Sequence, residues 1–368
     1  MGVVVRSGET FVSELERCRR MLVACAGVQR RKDGKEFKNL KPRPIDDADE
    51  KVVCVTSGVS FLGSAIVNEL SLHGYFVRVI VDNPEDVNKL EETTSGRHNV
   101  TVVVADLTDV NSLVEAFNGC RGVFHTSSSI DPSGVSGYTK VMSEVEMRTT
   151  ENVMEACART ETVRNCVLTS SLLACIWRDQ AGESESIGSS RIVDHACWSS
   201  LQLCQDKKLW FALGKLKSEK VAWKIAQESG LKLATICSAL ITGPNFHRRS
   251  STATIAYLKG AREMYTNGLL ATVDVTKLAK AHVCVYEGMK ENSSSRYICF
   301  DRVISTANEA SMLATEIGVP VGSIVQTTPP INSPEEFQEY KKIDPELRTT
   351  SLFRQPPRTL RRSSPFRF

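Results

Sequence analysis

Hydrophobic residues follow two alternating patterns from residue 51 onward. Short runs rich in β-branched residues, of which residues 52–56 (VVCVT) are the first, are typical of strands buried on both faces of a parallel sheet. Segments between them carry apolar residues every three or four positions and predict amphipathic helices. The predicted strands cover residues 52–56, 75–81, 100–105, 122–126, 163–169 and 231–237, and the predicted helices cover residues 61–73, 84–92, 109–118, 141–160 and about 209–228. This alternation predicts an α/β fold with a doubly wound parallel sheet.

The rest of the chain departs from this alternation. Residues 1–50 form a predicted extension, with a short helix followed by a charged linker. Its helix is predicted from the three- and four-residue spacing of Phe11, Leu15, Cys18, Leu22 and Cys25. We expect residues 51–240 to form the sheet domain, residues 241–340 a smaller α/β subdomain, and the basic residues 341–368 a disordered tail. The short helix can dock on its own domain or on a protein partner, and the tail on an acidic partner.

Composition excludes several classes of function. The chain has 368 residues, of which 41% are hydrophobic and 24% charged, and these are ordinary values for a globular protein. A net charge of +3 is too small to predict nucleic acid or an anionic membrane as a partner. The twelve Cys form no CxxC pair or Cys/His cluster, so we expect buried free thiols and no metal site. No apolar run reaches the length of a membrane span, about 20 residues, and the predicted location is the cytoplasm.

The segment VCVTSGVSFLGS (53–64) joins the first predicted strand to the first predicted helix, where a dinucleotide's pyrophosphate would meet a helix N-terminus at Phe61 and Leu62. A P-loop is excluded because Ser64 stands where that motif needs Lys. The GxxGxxG fingerprint asks for Gly at 57, 60 and 63. Only Gly63 complies, because serines occupy positions 57 and 60, where a side chain could crowd the phosphate or hydrogen-bond to it. A plain strand–helix turn stays open as the alternative.

Acidic residues follow the second and third predicted strands. Asp82 lies 19 residues after Gly63, near the spacing of an acid that binds the adenosine ribose of NAD and repels the 2′-phosphate of NADP. A helix-capping or turn role is the alternative for Asp82. Asp106 and Leu107 lie where an adenine ring would be flanked.

The stretch LWFALGK (209–215) places Phe211 and Lys215 one helical turn apart on the same face. Many nicotinamide-dependent reductases have Tyr and Lys at this spacing. Here Phe takes the Tyr position. Lys215 can also be a solvated helix residue, and Phe211 an ordinary core residue.

Nine stretches along residues 51–318 resemble the plant cinnamoyl-CoA reductase-like branch of the extended short-chain dehydrogenase/reductase family, which is of the NAD-dependent epimerase/dehydratase type. They are VCVTSGVSFLG, ADLTD, GVFHTSSS, NVMEACART, VLTSSLLA, DHACWSS, FALGKLKSEKVAW, LITGP and TVDVTKLAKAHVCVYE. The resemblance implies a Rossmann-type domain, a nicotinamide cofactor, a small-molecule substrate bound by the C-terminal subdomain, and a catalytic Ser-Tyr-Lys set. The chain looks like a divergent member, since it departs from the pattern at several of these positions.

Carried over by position, the resemblance puts Ser171 on the catalytic Ser, Lys215 on the catalytic Lys and Phe211 on the catalytic Tyr. It also implies that His125 and Thr126 lie near the nicotinamide and that Ser171 contacts the substrate there. For His125 the resemblance leaves two roles open, contact with the substrate or packing. Ser171 can alternatively cap the end of its strand.

The same resemblance bears on cofactor choice and on activity. Family members that use NADP carry Arg and Lys where this chain has Asp82 and Asn88, so NAD is favoured over NADP. Phe cannot donate a proton, which leaves two hypotheses. The first is a reductase of an aromatic carbonyl or a hydroxycinnamoyl-CoA thioester with weakened or altered catalysis. The second is a non-catalytic nucleotide-binding or interaction protein on the same scaffold.

Overall fold

The computed structural model describes residues 51–82, 87, 98–126, 138–178, 193–244, 251–289 and 294–325. The predicted extension (1–50) and basic tail (341–368) lie outside these residues, as does nearly all of the predicted helix at 84–92.

A seven-stranded parallel sheet forms the centre of the fold. Its strands are β1 (Val52–Val55), β2 (Phe76–Val81), β3 (Val100–Val104), β4 (Gly122–His125), β5 (Asn165–Ser171), β6 (Lys232–Ser238) and β9 (Ser295–Cys299). They lie in the order β3-β2-β1-β4-β5-β6-β9, and every neighbouring pair is parallel. The order reverses direction between β1 and β4, which is the switch point of a doubly wound fold. The predicted fold class is therefore confirmed.

Helices cover both faces of this sheet. They are α1 (Phe61–Leu72), α2 (Val110–Phe117), α3 (Lys140–Arg159), α4 (Leu173–Ile176), α5 (Leu201–Asp206), α6 (Trp210–Ser229), α7 (Ser251–Tyr257), α8 (Ala261–Thr266), α9 (Val275–Gly288) and α10 (Ala307–Ile317). Helices α1 and α9 pack together on one face, and α2, α3 and α6 on the other. Successive strand residues alternate between the two apolar clusters: Val53 and Val55 belong to the first, and Cys54 to the second. This explains why the strands are apolar without interruption.

A second, three-stranded sheet is mixed. Strand β7 (Leu240–Thr242) pairs parallel to β8 (Ala271–Asp274), which pairs antiparallel to β10 (Arg302–Val303). Strand β9 comes from the same part of the chain, yet it completes the large sheet beside β6. The division that we predicted at residue 240 is therefore not a boundary of the large sheet.

Short elements account for most of the remaining differences from the predictions. Helices α4 and α5 have four and six residues, too few to show a helical period. The predicted strands and longer helices agree with the structure to within three residues wherever both are described. Among the described residues, no helix is long and apolar enough to cross a membrane.

Candidate active site

The turn after β1 depends on two glycines that lie against neighbouring atoms. A Cβ on Gly63 would lie 1.8 Å from the carbonyl oxygen of Ser57, and a Cβ on Gly58 would lie 2.2 Å from Cγ1 of Val79. Both distances are far below a real contact, so only glycine fits at either position. Gly58, one residue after the position of the fingerprint's first glycine, thus lies against Val79 of β2.

Ser60 is committed to the turn itself. Its hydroxyl donates to the carbonyl of Ser57 at 2.8 Å and accepts from the Gly63 amide at 3.0 Å, which makes it the N-cap of α1. The amide of Gly63 is therefore satisfied by the protein. Phe61 and Leu62 begin α1, so the first amides of the helix lie at the carboxyl edge of the sheet.

Two exposed carboxylates follow β2 and β3 at this same edge. Asp82 comes directly after β2. Asp106 accepts hydrogen bonds from the backbone amide and the hydroxyl of Thr108, and these hold the pKa of its carboxyl below the usual range. The carbonyl of Leu107 accepts from Nδ2 of Asn152 on α3 at 3.2 Å, which fixes the loop after β3 to that helix.

His125 ends β4 and is buried, with 1% of its surface exposed. Its Nδ1 lies 2.9 Å from the Thr56 hydroxyl and its Nε2 lies 3.2 Å from the Thr150 hydroxyl. Burial, followed by the positive charge of Lys215, lowers the pKa of His125 to about 3. The ring is therefore neutral at physiological pH, and it ties β1, β4 and α3 together.

The next residue, Thr126, is also buried, and its hydroxyl has no hydrogen-bond partner within the described part of the chain. A buried polar atom without a partner is unusual in a folded protein. It lies beside the switch point, where doubly wound folds bind their ligands.

Ser171 ends β5 and is 3% exposed. Its hydroxyl accepts from the Leu173 amide at 3.2 Å, at the start of α4. The preceding hydroxyl, that of Ser170, donates to the buried carboxylate of Glu219 at 2.8 Å. The capping role that we considered for Ser171 is thus present in its geometry, at the same edge of the sheet as His125.

Helix α6 carries Phe211 and Lys215 in its first half, near this edge, because α6 runs back from the carboxyl end of the sheet toward the start of β6. Phe211 is 8% exposed, and its ring centroid lies 5.7 Å from Nζ of Lys215. Tyr138 and Tyr257 lie against the Phe211 ring, with centroid distances of 5.1 Å and 6.5 Å.

Lys215 is paired inside the protein. Its Nζ lies 2.6 Å from Oε1 of Glu146 on α3, and the two side chains are 7% and 2% exposed. The other carboxylate oxygen of Glu146 accepts a hydrogen bond from the Tyr138 hydroxyl. Sequence reasoning missed Glu146 and Tyr138. A signal was present, however: Glu146 falls on the buried stripe of α3 with Thr150 and Val153, and a carboxylate on such a stripe requires a partner.

Comparison with known proteins identifies the scaffold. Residues 54–302 match the model of the 3-beta hydroxysteroid dehydrogenase/isomerase family. Cinnamoyl-CoA reductase 1 from Petunia hybrida is 34% identical over 312 residues, which cover 82% of this chain and 89% of the relative. The chain belongs to the extended short-chain dehydrogenase/reductase family, with cinnamoyl-CoA reductases among its relatives. The predicted resemblance is therefore confirmed.

Another relative and two solved structures extend this comparison. Tetraketide alpha-pyrone reductase 1 from Arabidopsis thaliana is 29% identical and covers 84% of this chain and 90% of the relative. Vestitone reductase from alfalfa is 22% identical with a TM-score of 0.54, over 75% of this chain and 86% of that one. Yeast methylglyoxal/isovaleraldehyde reductase complexed with NADPH is 18% identical with a TM-score of 0.57, over 74% of this chain and 85% of that one. The two structures share the fold. A nicotinamide dinucleotide is the typical cofactor of the family. No cluster of potential metal ligands occurs among the described residues.

Proposed function

We propose that this protein binds NAD(P)H and reduces an aromatic carbonyl compound or a hydroxycinnamoyl-CoA thioester, with turnover slowed by Phe211. The observation that most supports the proposal is that the glycine turn, Ser171 and Lys215 lie at one edge of the sheet, in a chain 34% identical to a cinnamoyl-CoA reductase. That edge, beside the switch point, is where doubly wound folds bind ligands.

The residues at this edge fit a dinucleotide. Gly63 lets the start of α1 lie against the Ser57 carbonyl, and the α1 N-terminus favours a phosphate group there. Thr126 provides a buried hydroxyl without a partner among the described residues, and the exposed Asp82 after β2 would meet the adenosine ribose. The bound cofactor supplies the hydride, and Ser171 orients the substrate oxygen. His125, with both ring nitrogens hydrogen-bonded to threonines, supports the floor of the site rather than reaching the substrate.

Phe211 removes the positioned proton donor of the family. The phenyl ring has no exchangeable proton, so the substrate oxygen has to be protonated by Ser171 or by water. Loss of a positioned general acid typically reduces the rate by about 10²–10⁴, which corresponds to roughly 3–5 kcal/mol of barrier. We infer weakened rather than abolished turnover, because the other members of the set are present.

A second candidate is a nucleotide-binding protein without turnover. The ion pair between Lys215 and Glu146 favours it, since the lysine of the family's set is neutralised by a buried carboxylate. The two candidates share cofactor binding and differ in product formation.

Titration of the native protein with NADH and NADPH, followed by incubation with an aromatic aldehyde and a hydroxycinnamoyl-CoA, tests the proposal. We expect saturable binding of a cofactor and slow formation of the alcohol or aldehyde product. Binding without product, even over many hours, would favour the second candidate. If neither cofactor binds, both candidates are wrong.

A further inference from the structure

The Lys215–Glu146 ion pair is buried between two helices. Both side chains are almost fully enclosed, and the charged atoms lie 2.6 Å apart. In an interior of low dielectric constant, an ion pair is much stronger than at the surface, and separating the charges leaves one of them without compensation. Lys215 is therefore held toward α3 by a contact that is costly to break.

Gly214 allows the two helices to come close enough for this pair. A Cβ at position 214 would lie 2.7 Å from the Tyr138 hydroxyl, 3.2 Å from Oε2 of Glu146 and 3.2 Å from Cα of Ser143. Glycine inside a helix is unfavourable relative to alanine, so its position here is explained by the close approach of α3. Gly214 thus leaves room for the Glu146 carboxylate, which neutralises the charge of Lys215.

Tyr138 holds the carboxylate from the other side. Its hydroxyl donates to Glu146, and its ring meets the Phe211 ring edge-on. Burial and the neighbouring Glu146 carboxylate raise the pKa of Tyr138 far above its ordinary value, so the phenol keeps its proton and remains a donor to Glu146. Glu146 is thereby fixed between a phenol and an ammonium group.

We propose that Glu146 is a positioning residue that withholds the Lys215 ammonium from the ribose hydroxyls of a bound nicotinamide cofactor. The inference rests on the proposed function, since it concerns the same site. The family's tyrosine–lysine pair is replaced by a chain from Tyr138 through Glu146 to Lys215. Changing Phe211 alone therefore leaves the lysine engaged with Glu146.

The test is cofactor affinity in Glu146→Gln, measured by equilibrium titration with NADH and NADPH. Removing the negative charge releases the ammonium, and we expect binding to tighten by about 10- to 100-fold, the value of one charge-assisted hydrogen bond. Thermal unfolding gives a second readout: without cofactor the variant should unfold at a lower temperature than the native protein, and cofactor should raise its midpoint by more.

The chain offers a matched control on the same two helices. Glu144 and Lys217 form an ion pair of 2.5 Å between α3 and α6, and Glu144 is 38% exposed. Glu144→Gln should leave cofactor affinity unchanged, so a gain in Glu146→Gln cannot come from loss of any ion pair between these helices. In the double variant Glu146→Gln/Lys215→Met the gain should disappear, because the released ammonium is gone.

Three results would overturn the inference: unchanged affinity in Glu146→Gln, an equal gain in Glu144→Gln, or a gain that persists in the double variant. If Glu146→Gln does not fold, Glu146→Asp keeps the buried charge but shortens its reach, and it should tighten binding by a smaller factor; no tightening would overturn the inference. The proposed function fails separately, through absence of cofactor binding by the native protein. Binding that appears only in Glu146→Gln would support the inference while excluding native turnover.

Discussion

The ring of Tyr138 meets the ring of Phe211 edge-on, with centroids 5.1 Å apart and planes at 87°. A phenol therefore lies against Phe211, the residue that we propose at the family's tyrosine position, but its hydroxyl is directed to Glu146. The Glu146 carboxylate thus connects a tyrosine hydroxyl to Lys215. Under the proposed function, the chemistry of the site depends on Tyr138 and Glu146 as well as on the residue at position 211.

Gly63→Ala should impair the nucleotide turn. The new Cβ would lie 1.8 Å from the Ser57 carbonyl oxygen, so the turn has to shift. We expect cofactor binding to weaken by about tenfold or more, at least about 1.4 kcal/mol, and stability to fall by about 1–3 kcal/mol. Gly288→Ala is the control, since nothing in the described structure lies within 4 Å of its Cβ. Equal effects of the two substitutions on cofactor affinity would argue against a nucleotide site at this turn.

Glu219→Gln should destabilise the protein without acting through the cofactor. Glu219 is fully buried and accepts from Nε of Arg296 at 2.7 Å and from Nη2 at 3.0 Å. Burial raises the pKa of Glu219, but its hydrogen bonds and the charge of Arg296 together lower that pKa by more. The net pKa is below the ordinary value, so the carboxylate stays ionised. Breaking a buried pair costs about 3–5 kcal/mol, measurable by urea unfolding. Glu263→Gln removes a surface pair with Lys207 and should cost only about 0–1 kcal/mol. Similar losses would show that the buried Glu219–Arg296 pair contributes no more to stability than a surface pair.

Stability should fall as the pH drops below about 6.5. The pKa of His125 is about 3 in the folded protein and 6.5 when exposed, so the unfolded chain takes up the proton first and is favoured as pH falls. One such histidine lowers the free energy of unfolding by about 2 kcal/mol between pH 7 and pH 5.

His125→Gln should remove the contribution of His125 to the pH dependence of the free energy of unfolding. His282, whose pKa burial lowers to about 4, should keep its own share. Unfolding free energies of native and variant protein at pH 7, 6 and 5 provide the check. A slope that is the same in both would mean that the pKa of His125 is the same in the folded and the unfolded protein.

Asp82→Asn should shift cofactor choice toward NADPH. Asp82 lies exposed at the end of β2, where we place the adenosine ribose, and its charge would repel a 2′-phosphate. We expect the ratio of NADPH to NADH affinity to rise by about tenfold. Asp206→Asn, at the exposed end of α5, serves as the control and should leave the ratio unchanged. A native protein that already prefers NADPH would contradict this role of Asp82.

The sheet could be predicted from sequence because its strands are buried on both faces and therefore read as unbroken β-branched runs. Strand β9 escaped prediction because it is an edge strand whose first residues, Ser295, Arg296 and Tyr297, are polar or only partly buried. The sequence predicted the position of the turn after β1. The glycine spacing of the fingerprint could not show that Gly58 packs against Val79, because that contact depends on where β2 lies in the fold.

The site was harder to predict for a related reason. Ser171, Phe211 and Lys215 were singled out by position, and their chemical roles remain predictions. Glu146 lies 69 residues from Lys215, and its importance follows only from how α3 packs on α6 at Gly214. A carboxylate on the buried face of a predicted helix indicates that it has a charged or polar partner, but the sequence does not show which residue that partner is.

Single-turnover reduction of an aromatic aldehyde with saturating NADH tests the account most directly, in the native protein, Phe211→Tyr, Glu146→Gln and the double variant Phe211→Tyr/Glu146→Gln. We predict slow turnover by the native protein, a modest gain from Phe211→Tyr, and a gain of about 10²–10⁴ over the native rate in the double variant, where a phenol and a released lysine are both present. The two substitutions should therefore be more than additive. A native rate equal to that of the double variant would contradict the account.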